Sequence, residues 1–254
     1  MAVDVLLLVA AGLAAGVVNA VAGGGTFFTF GALMAVGLPP VVANATSAVS
    51  VLPGQIMSTI AYRREIAALG QRVVPLAIVS AIGGAFGGWL LLRSGDTTFR
   101  LLVPWLLLAA TLLFAASPVI SARLLPALAS GKPHSNRVTT ALTIALQALV
   151  AVYGGYFGAG MGIMMLATLS LTYGDRFHEA NAAKNILAVL MQGLAVVLFT
   201  GSGVVAWKEA AIVTVASIAG GWWGVGLGRR IPLALIRLCV VGAGLGLAAV
   251  YFVR

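Results

Sequence analysis

Residues 22–25 read Ala22-Gly23-Gly24-Gly25, and they interrupt an apolar run that extends from residue 4 to residue 36. A second run, 137–172, is interrupted by Gly154-Gly155 and then by Gly158-Ala159-Gly160-Met161-Gly162. A helix crosses ~30 Å of bilayer hydrocarbon in about 20 residues. Both runs are too long for one simple span. Glycine is the poorest helix former after proline, so both clusters read as breaks inside membrane segments. Six further apolar runs lie at 41–62, 73–92, 99–116, 179–200, 209–228 and 233–252, each of single-span length. Tyr62 before Arg63-Arg64, and Trp207 before Lys208, mark span ends at the water interface.

Composition agrees. Of 254 residues, 61% are hydrophobic and 8% are charged, and the mean hydropathy is +1.09. Soluble domains are about 25% charged, which excludes that class, and disorder requires low hydrophobicity. The net charge of +9 sits mostly in short segments between apolar runs. There it sets topology rather than binding nucleic acid. Cys239 is the lone cysteine, which excludes an internal disulfide; inside an apolar run it is expected to serve packing. The MAVD start has no basic region before the apolar stretch, so no cleaved signal is expected.

The chain matches itself without a gap at an offset of 137 residues. Gly23, Gly25 and Gly37 fall on Gly160, Gly162 and Gly174, and Ala43-Asn44-Ala45 falls on Ala180-Asn181-Ala182. Gln55 falls on Gln192. Ser80, Gly83, Gly84 and Gly87 fall on Ser217, Gly220, Gly221 and Gly224, and Arg93 and Arg100 fall on Arg230 and Arg237. Two halves follow, 1–116 and 137–254, joined by a Pro/Ser/Gly-containing linker at 117–136.

Loop charge decides between parallel and inverted halves. If each long run crosses once, the basic loop residues divide 8 to 6 between the two sides. If each enters and returns, the division is 10 to 4: Arg63, Arg64, Arg72, Arg123, Lys132, Arg137, Arg176, Arg229, Arg230 and Arg237 against Arg93, Arg100, Lys208 and Arg254. The second obeys the positive-inside rule better. The expectation is an all-α polytopic membrane protein of two inverted repeats. Each repeat has a glycine-broken, re-entrant first segment and three transmembrane helices. Both termini lie outside the cytoplasm.

Irregular backbone at membrane depth is tolerated where it lines a cavity. Helix resumes near Thr26 and Ile163, and a helix N-terminus carries free N–H groups and partial positive charge. Such ends bind anions. Gly23, Gly24, Gly25, Thr26, Gly158, Gly160 and Gly162 are therefore candidate binding residues. The helix after each break carries a polar stripe: Asn44, Ser47, Gln55 and Ser58 in one half, Asn181, Lys184, Asn185 and Gln192 in the other. Asn44, Thr46, Ser47, Asn181, Lys184 and Asn185 join the candidates. Lys184 lies well inside a span, although it is close enough to Asp175 to snorkel toward water. His178 and Glu179 read as interfacial. The glycines at 83–88 and 220–228 read as packing residues. No catalytic triad, Walker motif or metal cluster is visible, so neither an enzyme nor a cofactor is expected.

The motif AGGG at Ala22–Gly25, the Gly37-Leu38-Pro39 turn, the Ala43–Ser47 stretch, YGGYFGAGMG at 153–162 and HEANAAKNIL at 178–187 resemble the TauE/SafE sulfite exporter family. The likeness covers nearly the whole chain. It implies an inner-membrane protein of two related halves that moves sulfur-containing oxyanions such as sulfite and organosulfonates. Where many members read A-T-N-K, this chain has Ala45-Thr46-Ser47-Ala48, so the first basic residue is missing and Lys184 alone remains. The expected function is a secondary transporter for a small anion, working by alternating access between repeats. The coupling ion, proton or sodium, is left open. A channel or a non-catalytic subunit of a larger complex are the rivals.

Overall fold

The computed structural model describes the backbone of residues 2–21, 23–129, 137–173, 176–227 and 233–253. The described chain is helical throughout: α1 (Ala2–Val21), α2 (Thr26–Ala35), α3 (Pro40–Ala61), α4 (Arg63–Ala68), a 3₁₀ turn at Gly70–Val73, α5 (Val74–Ala129), α6 (Arg137–Tyr156), α7 (Met161–Tyr173), α8 (Phe177–Gly201), α9 (Trp207–Leu227) and α10 (Leu233–Val253). Within α5, Gly95 turns the chain at φ 67° and ψ 170°, dividing it into two arms. Arg93, Ser94 and Asp96 surround that turn, where the sequence separates runs 73–92 and 99–116. Helix continues to Ala129, so the first part of the expected 117–136 linker extends the second arm. Residues 130–136 lie outside the described residues, as do Gly174, Asp175 and Gly228. So do the side chains of Arg72, Arg123, Arg137, His178, Arg229, Arg230, Arg237 and Arg254.

The molecule is apolar outside and polar inside. Leu6, Ile82, Leu101, Trp105, Leu149, Val215, Trp222 and Trp223 are exposed, while Asn44, Thr46, Gln147, Asn181, Lys184 and Gln192 are buried. That inversion fits a solvent of lipid, in which polar groups turn to the bundle interior. Three described helical stretches, Ala2–Ala20, Val74–Leu113 and Glu179–Gly201, are long and apolar enough to cross a membrane. Cys239 corrects an expectation: it is exposed rather than packed, beside exposed Leu238 on peripheral α10.

The halves are interlocked rather than side by side. Helix α1 packs along α9, and its repeat counterpart α6 packs along the first arm of α5. Glycine makes both seams possible. A Cβ on Gly224 would lie 2.7 Å from Val17 Cα, and one on Gly83 would lie 2.6 Å from Ala151 Cβ. Gly220 likewise sits against the Leu13 backbone, and Gly84 against Met191. With little hydrophobic drive between helices in lipid, such close backbone packing is what holds them together. Side-chain hydrogen bonds add to it. Ser217 Oγ donates to the Ser50 carbonyl at 2.7 Å, and Gln147 Nε2 donates to Ser80 Oγ at 2.8 Å.

Helix α10 runs antiparallel to the second arm of α5. Trp105 meets Phe252 edge-on at 5.2 Å, and six residues along the arm Gly244 lies against Thr111. Helices α3 and α8 also touch, through Gln192 Nε2 and the Ala48 carbonyl at 3.4 Å. These four elements are repeat mates in pairs, so each pair contacts its own counterpart.

Candidate functional site

Both glycine clusters break their helices and fold the chain back. At the first, α1 closes with Gly23 N–H donating to the Val18 carbonyl at 3.0 Å. Gly23 (φ 74°) and Gly24 (φ 112°) then adopt backbone that only glycine enters without strain. The turn sets Gly25 against the Ala15 backbone, and α2 begins at Thr26. At the second, Phe157 and Gly158 N–H both donate to the Tyr153 carbonyl, and Gly158 (φ 76°) and Gly160 (φ 74°) turn the chain into α7. Helix resumes at Met161, two residues before the expected Ile163. Tyr153 Oη donates to the Ala159 carbonyl at 2.6 Å and pins this loop.

The two breaks meet. A Cβ on Gly23 would lie 2.9 Å from Gly162 Cα. Beside this contact is a narrow cavity of about 20 Å³, room for little more than a water-sized occupant. Its walls are Asn19, Gly23, Gly24 and Thr26 from the first break, Gly158, Met161 and Gly162 from the second, Gln55 from α3, and Lys184, Asn185 and Ala188 from α8.

Asn19 settles the electrostatics of the first break. Its Oδ1 accepts from Gly24 N–H at 3.1 Å and from Gly25 N–H at 2.8 Å. One side-chain oxygen thus satisfies two of the donors expected to face a ligand, and it ties the Gly24-Gly25 turn ahead of α2 to the preceding helix. Because Oδ1 accepts twice, the amide orientation is fixed by the network, and Nδ2 is the remaining donor. Asn19 Nδ2 is buried without a partner, and so are Asn185 Nδ2, Lys184 Nζ and Gln55 Oε1, each on a wall of the cavity. Lys184 is 3% exposed and does not snorkel. Three residues with an unsatisfied buried donor, one of them the Lys184 amine, thus line one void. Among the described residues, no carboxylate or imidazole lines it, and no group of three or more His, Cys, Asp or Glu could hold a metal.

Seven sequence candidates meet at the cavity: Gly23, Gly24, Thr26, Gly158, Gly162, Lys184 and Asn185. Gly25, Gly160, Asn44, Thr46, Ser47 and Asn181 are buried but lie outside its walls. Asn44 Nδ2 donates to the Tyr156 carbonyl at 3.0 Å, tying α3 to the end of α6. Thr46 Oγ1 accepts from Ala206 N–H at 3.0 Å and clips the loop before α9 to α3. Ser47 Oγ bonds Thr29 Oγ1. Gly160 faces Ala110. Glu179 pairs with Arg176 at 2.8 Å on the surface. Asn19 was not among the candidates. Its signal was an isolated amide inside an apolar run, but the 137-residue offset places it on Tyr156, so the repeat did not flag it.

Residues 8–251 match the family model described as Sulfite exporter TauE/SafE. Three relatives are similar along most of their length. A probable membrane transporter protein of Haemophilus influenzae is 27% identical over 94% of this chain and 91% of its own. The probable membrane transporter protein ORF9 of a Sinorhizobium species is 26% identical over 84% and 78%. The probable membrane transporter protein YfcA of Escherichia coli K12 is 28% identical over 89% and 81%. With a helical membrane architecture and a family match across nearly its whole length, this chain belongs to the sulfite exporter TauE/SafE family of membrane transporter proteins.

Proposed function

We propose that the chain is a secondary transporter of a small oxyanion, sulfite or an organosulfonate, which binds where the two glycine breaks meet once the cavity there widens beyond its present volume of about 20 Å³. The observation that carries this is the cavity where Asn19 Nδ2, Lys184 Nζ and Asn185 Nδ2 converge without partners. Leaving buried donors unsatisfied is costly, more so for a cation. An anion with several acceptor oxygens removes that cost in one step, whereas a cation adds to it. Glycine at positions 23, 158 and 162 lets the chain approach the ligand closely. Gly23–Gly25, Thr26, Gly158, Gly160 and Gly162 form the frame. Lys184 supplies charge, Asn44, Thr46 and Ser47 hold the surrounding helices in register, and Asn181 lies buried on α8.

The architecture supports alternating access. The antiparallel contact of α10 with the second arm of α5 supports inverted repeats, and the fold-back at both breaks supports re-entrant first segments. In such folds the substrate sits at the repeat interface, and one bundle rocks against the other. The division of basic loop residues supports an orientation with both termini outside the cytoplasm, and the bacterial relatives support an inner-membrane location. Chemistry in the cavity is binding rather than catalysis, and the partners are the anion and the bilayer.

The test is uptake of sulfite, a sulfonate and a carboxylate into proteoliposomes, with and without a pH gradient. Saturable flux with counterflow of the sulfur oxyanions is expected. Folded protein that neither binds nor moves any of them refutes the reading. Flux without saturation or counterflow makes the protein a channel.

A further inference from the structure

Lys184 is a buried amine that anion binding alone leaves half explained. Its Nζ has no partner, and among the described residues none that is ionised lines the cavity. From the first break it faces Asn19 and Thr26, from α3 Gln55, from the second break Met161 and glycines, and from its own helix Asn185. Among the described residues, Glu179 of α8 is paired with Arg176 on the surface, and the other elements packed on α8 add no counter-charge at the cavity. The first arm of α5 carries no ionisable side chain from Val74 to Leu92. On α6, Tyr153 and Tyr156 spend their hydroxyls on Ala159 and Ser94. On α7 the ionisable group is Tyr173, and it lies off the cavity. On α4, Arg63 and Arg64 are exposed and Glu65 is half-buried, away from the cavity.

A lone positive charge enclosed this way is costly, and a bound anion offsets that cost. We propose that Lys184 is the coupling residue, and that it makes transport a symport of one anion with one proton. This rests on the anion reading above. The step balances. With the cavity empty, Nζ carries a lone pair. As the anion enters, that lone pair takes a proton from water on the open side, forming the third N–H bond and a +1 charge against the anion. On the far side the N–H bond breaks, and the proton leaves to water with the departing anion. The empty carrier returns neutral, so no buried charge opposes reorientation. A monovalent anion therefore moves without net charge, and no core carboxylate is required.

The test uses the full chain in proteoliposomes with the membrane potential clamped and pH dyes on both sides. The probe is radiolabelled isethionate, a strong-acid anion that carries no proton of its own. Efflux from loaded vesicles should acidify the outside by about one proton per anion. Lys184→Arg keeps a charge that cannot be released. It should lower net efflux by about tenfold or more while isethionate–isethionate exchange continues, since only the empty carrier is blocked. Saturable isethionate flux without proton movement in the wild type overturns the proposal and leaves the anion reading standing. So does Lys184→Arg with proton-coupled flux intact. If that variant fails to fold, the wild-type proton count decides alone. Absence of any isethionate or sulfite binding or flux removes both readings.

Discussion

At the first break, the N–H groups of Gly24 and Gly25 end on the side chain of Asn19. At the second, the matching position is Tyr156, whose hydroxyl reaches away to Ser94 at 3.2 Å and whose carbonyl receives Asn44. The two breaks share one left-handed glycine at matched positions, Gly23 and Gly160, both at φ 74°, whereas Gly24 (φ 112°) and Gly158 (φ 76°) fall on helical Met161 and Val21 of the other half. Their side chains differ as well. The first break brings the Asn19 amide to the cavity, and the second supplies glycine surface, with Lys184 and Asn185 following on α8. Two glycine breaks at matching places in the sequence thus carry different side chains, and those side chains decide what lines the cavity.

The bend itself should be the least forgiving feature. Gly23→Ala forces a Cβ into left-handed backbone and against Gly162 Cα at 2.9 Å. A destabilisation of about 2–4 kcal/mol is expected, together with loss of transport. Thermal unfolding in detergent and uptake measure the two. If both were unchanged, the contact between the breaks would not be structural.

Lys184→Met comes next, and its two readouts should move in opposite directions. Anion uptake should fall by about a hundredfold. Stability should rise by about 1–3 kcal/mol, because an unpaired buried amine is replaced by an apolar side chain. A loss of stability would mean that Lys184 has a structural partner after all.

Asn19→Asp separates capping from donating. A carboxylate keeps both acceptor bonds to Gly24 and Gly25 and suits a helix N-terminus. It also removes Nδ2 and sets a negative charge beside the cavity. Stability should stay within about 1 kcal/mol of wild type, while anion affinity falls by about tenfold or more. Equal affinity would show that the asymmetry between the breaks does not bear on binding. Tyr156→Phe is the matching change at the second break. It should cost about 0.5–1 kcal/mol through the Ser94 bond and alter uptake by less than about twofold.

Much of the fold was legible because it depends on local rules. Glycine clusters at 23–25 and 158–162 break helices wherever they occur, and the charged Arg93–Asp96 stretch marks the turn at Gly95. The packing glycines were legible for the same reason: Gly83, Gly84, Gly220 and Gly224 each meet a neighbouring backbone or a small side chain. The site was legible only in part. A stripe of polar residues on α3 points inward, but the sequence does not say what each residue meets. Asn44, Ser47 and Ser58 are spent on Tyr156, Thr29 and Gly54, while Gln55 reaches the cavity. Gln55 shares that cavity with Asn185, not with its repeat mate Gln192, which bonds the Ala48 carbonyl. Such pairings depend on how two helices cross. Asn19 was hidden for a further reason: comparison of the halves finds what they share, and this residue is what they do not.

The most direct measurement is a structure of the protein with selenite, whose selenium gives an anomalous signal that marks the anion. The account predicts one peak in the cavity beside the Gly23–Gly162 contact, with its oxygens in hydrogen-bond reach of Asn19 Nδ2, Lys184 Nζ and Asn185 Nδ2. A selenite peak elsewhere in the bundle, with those three nitrogens still unpartnered, would contradict it.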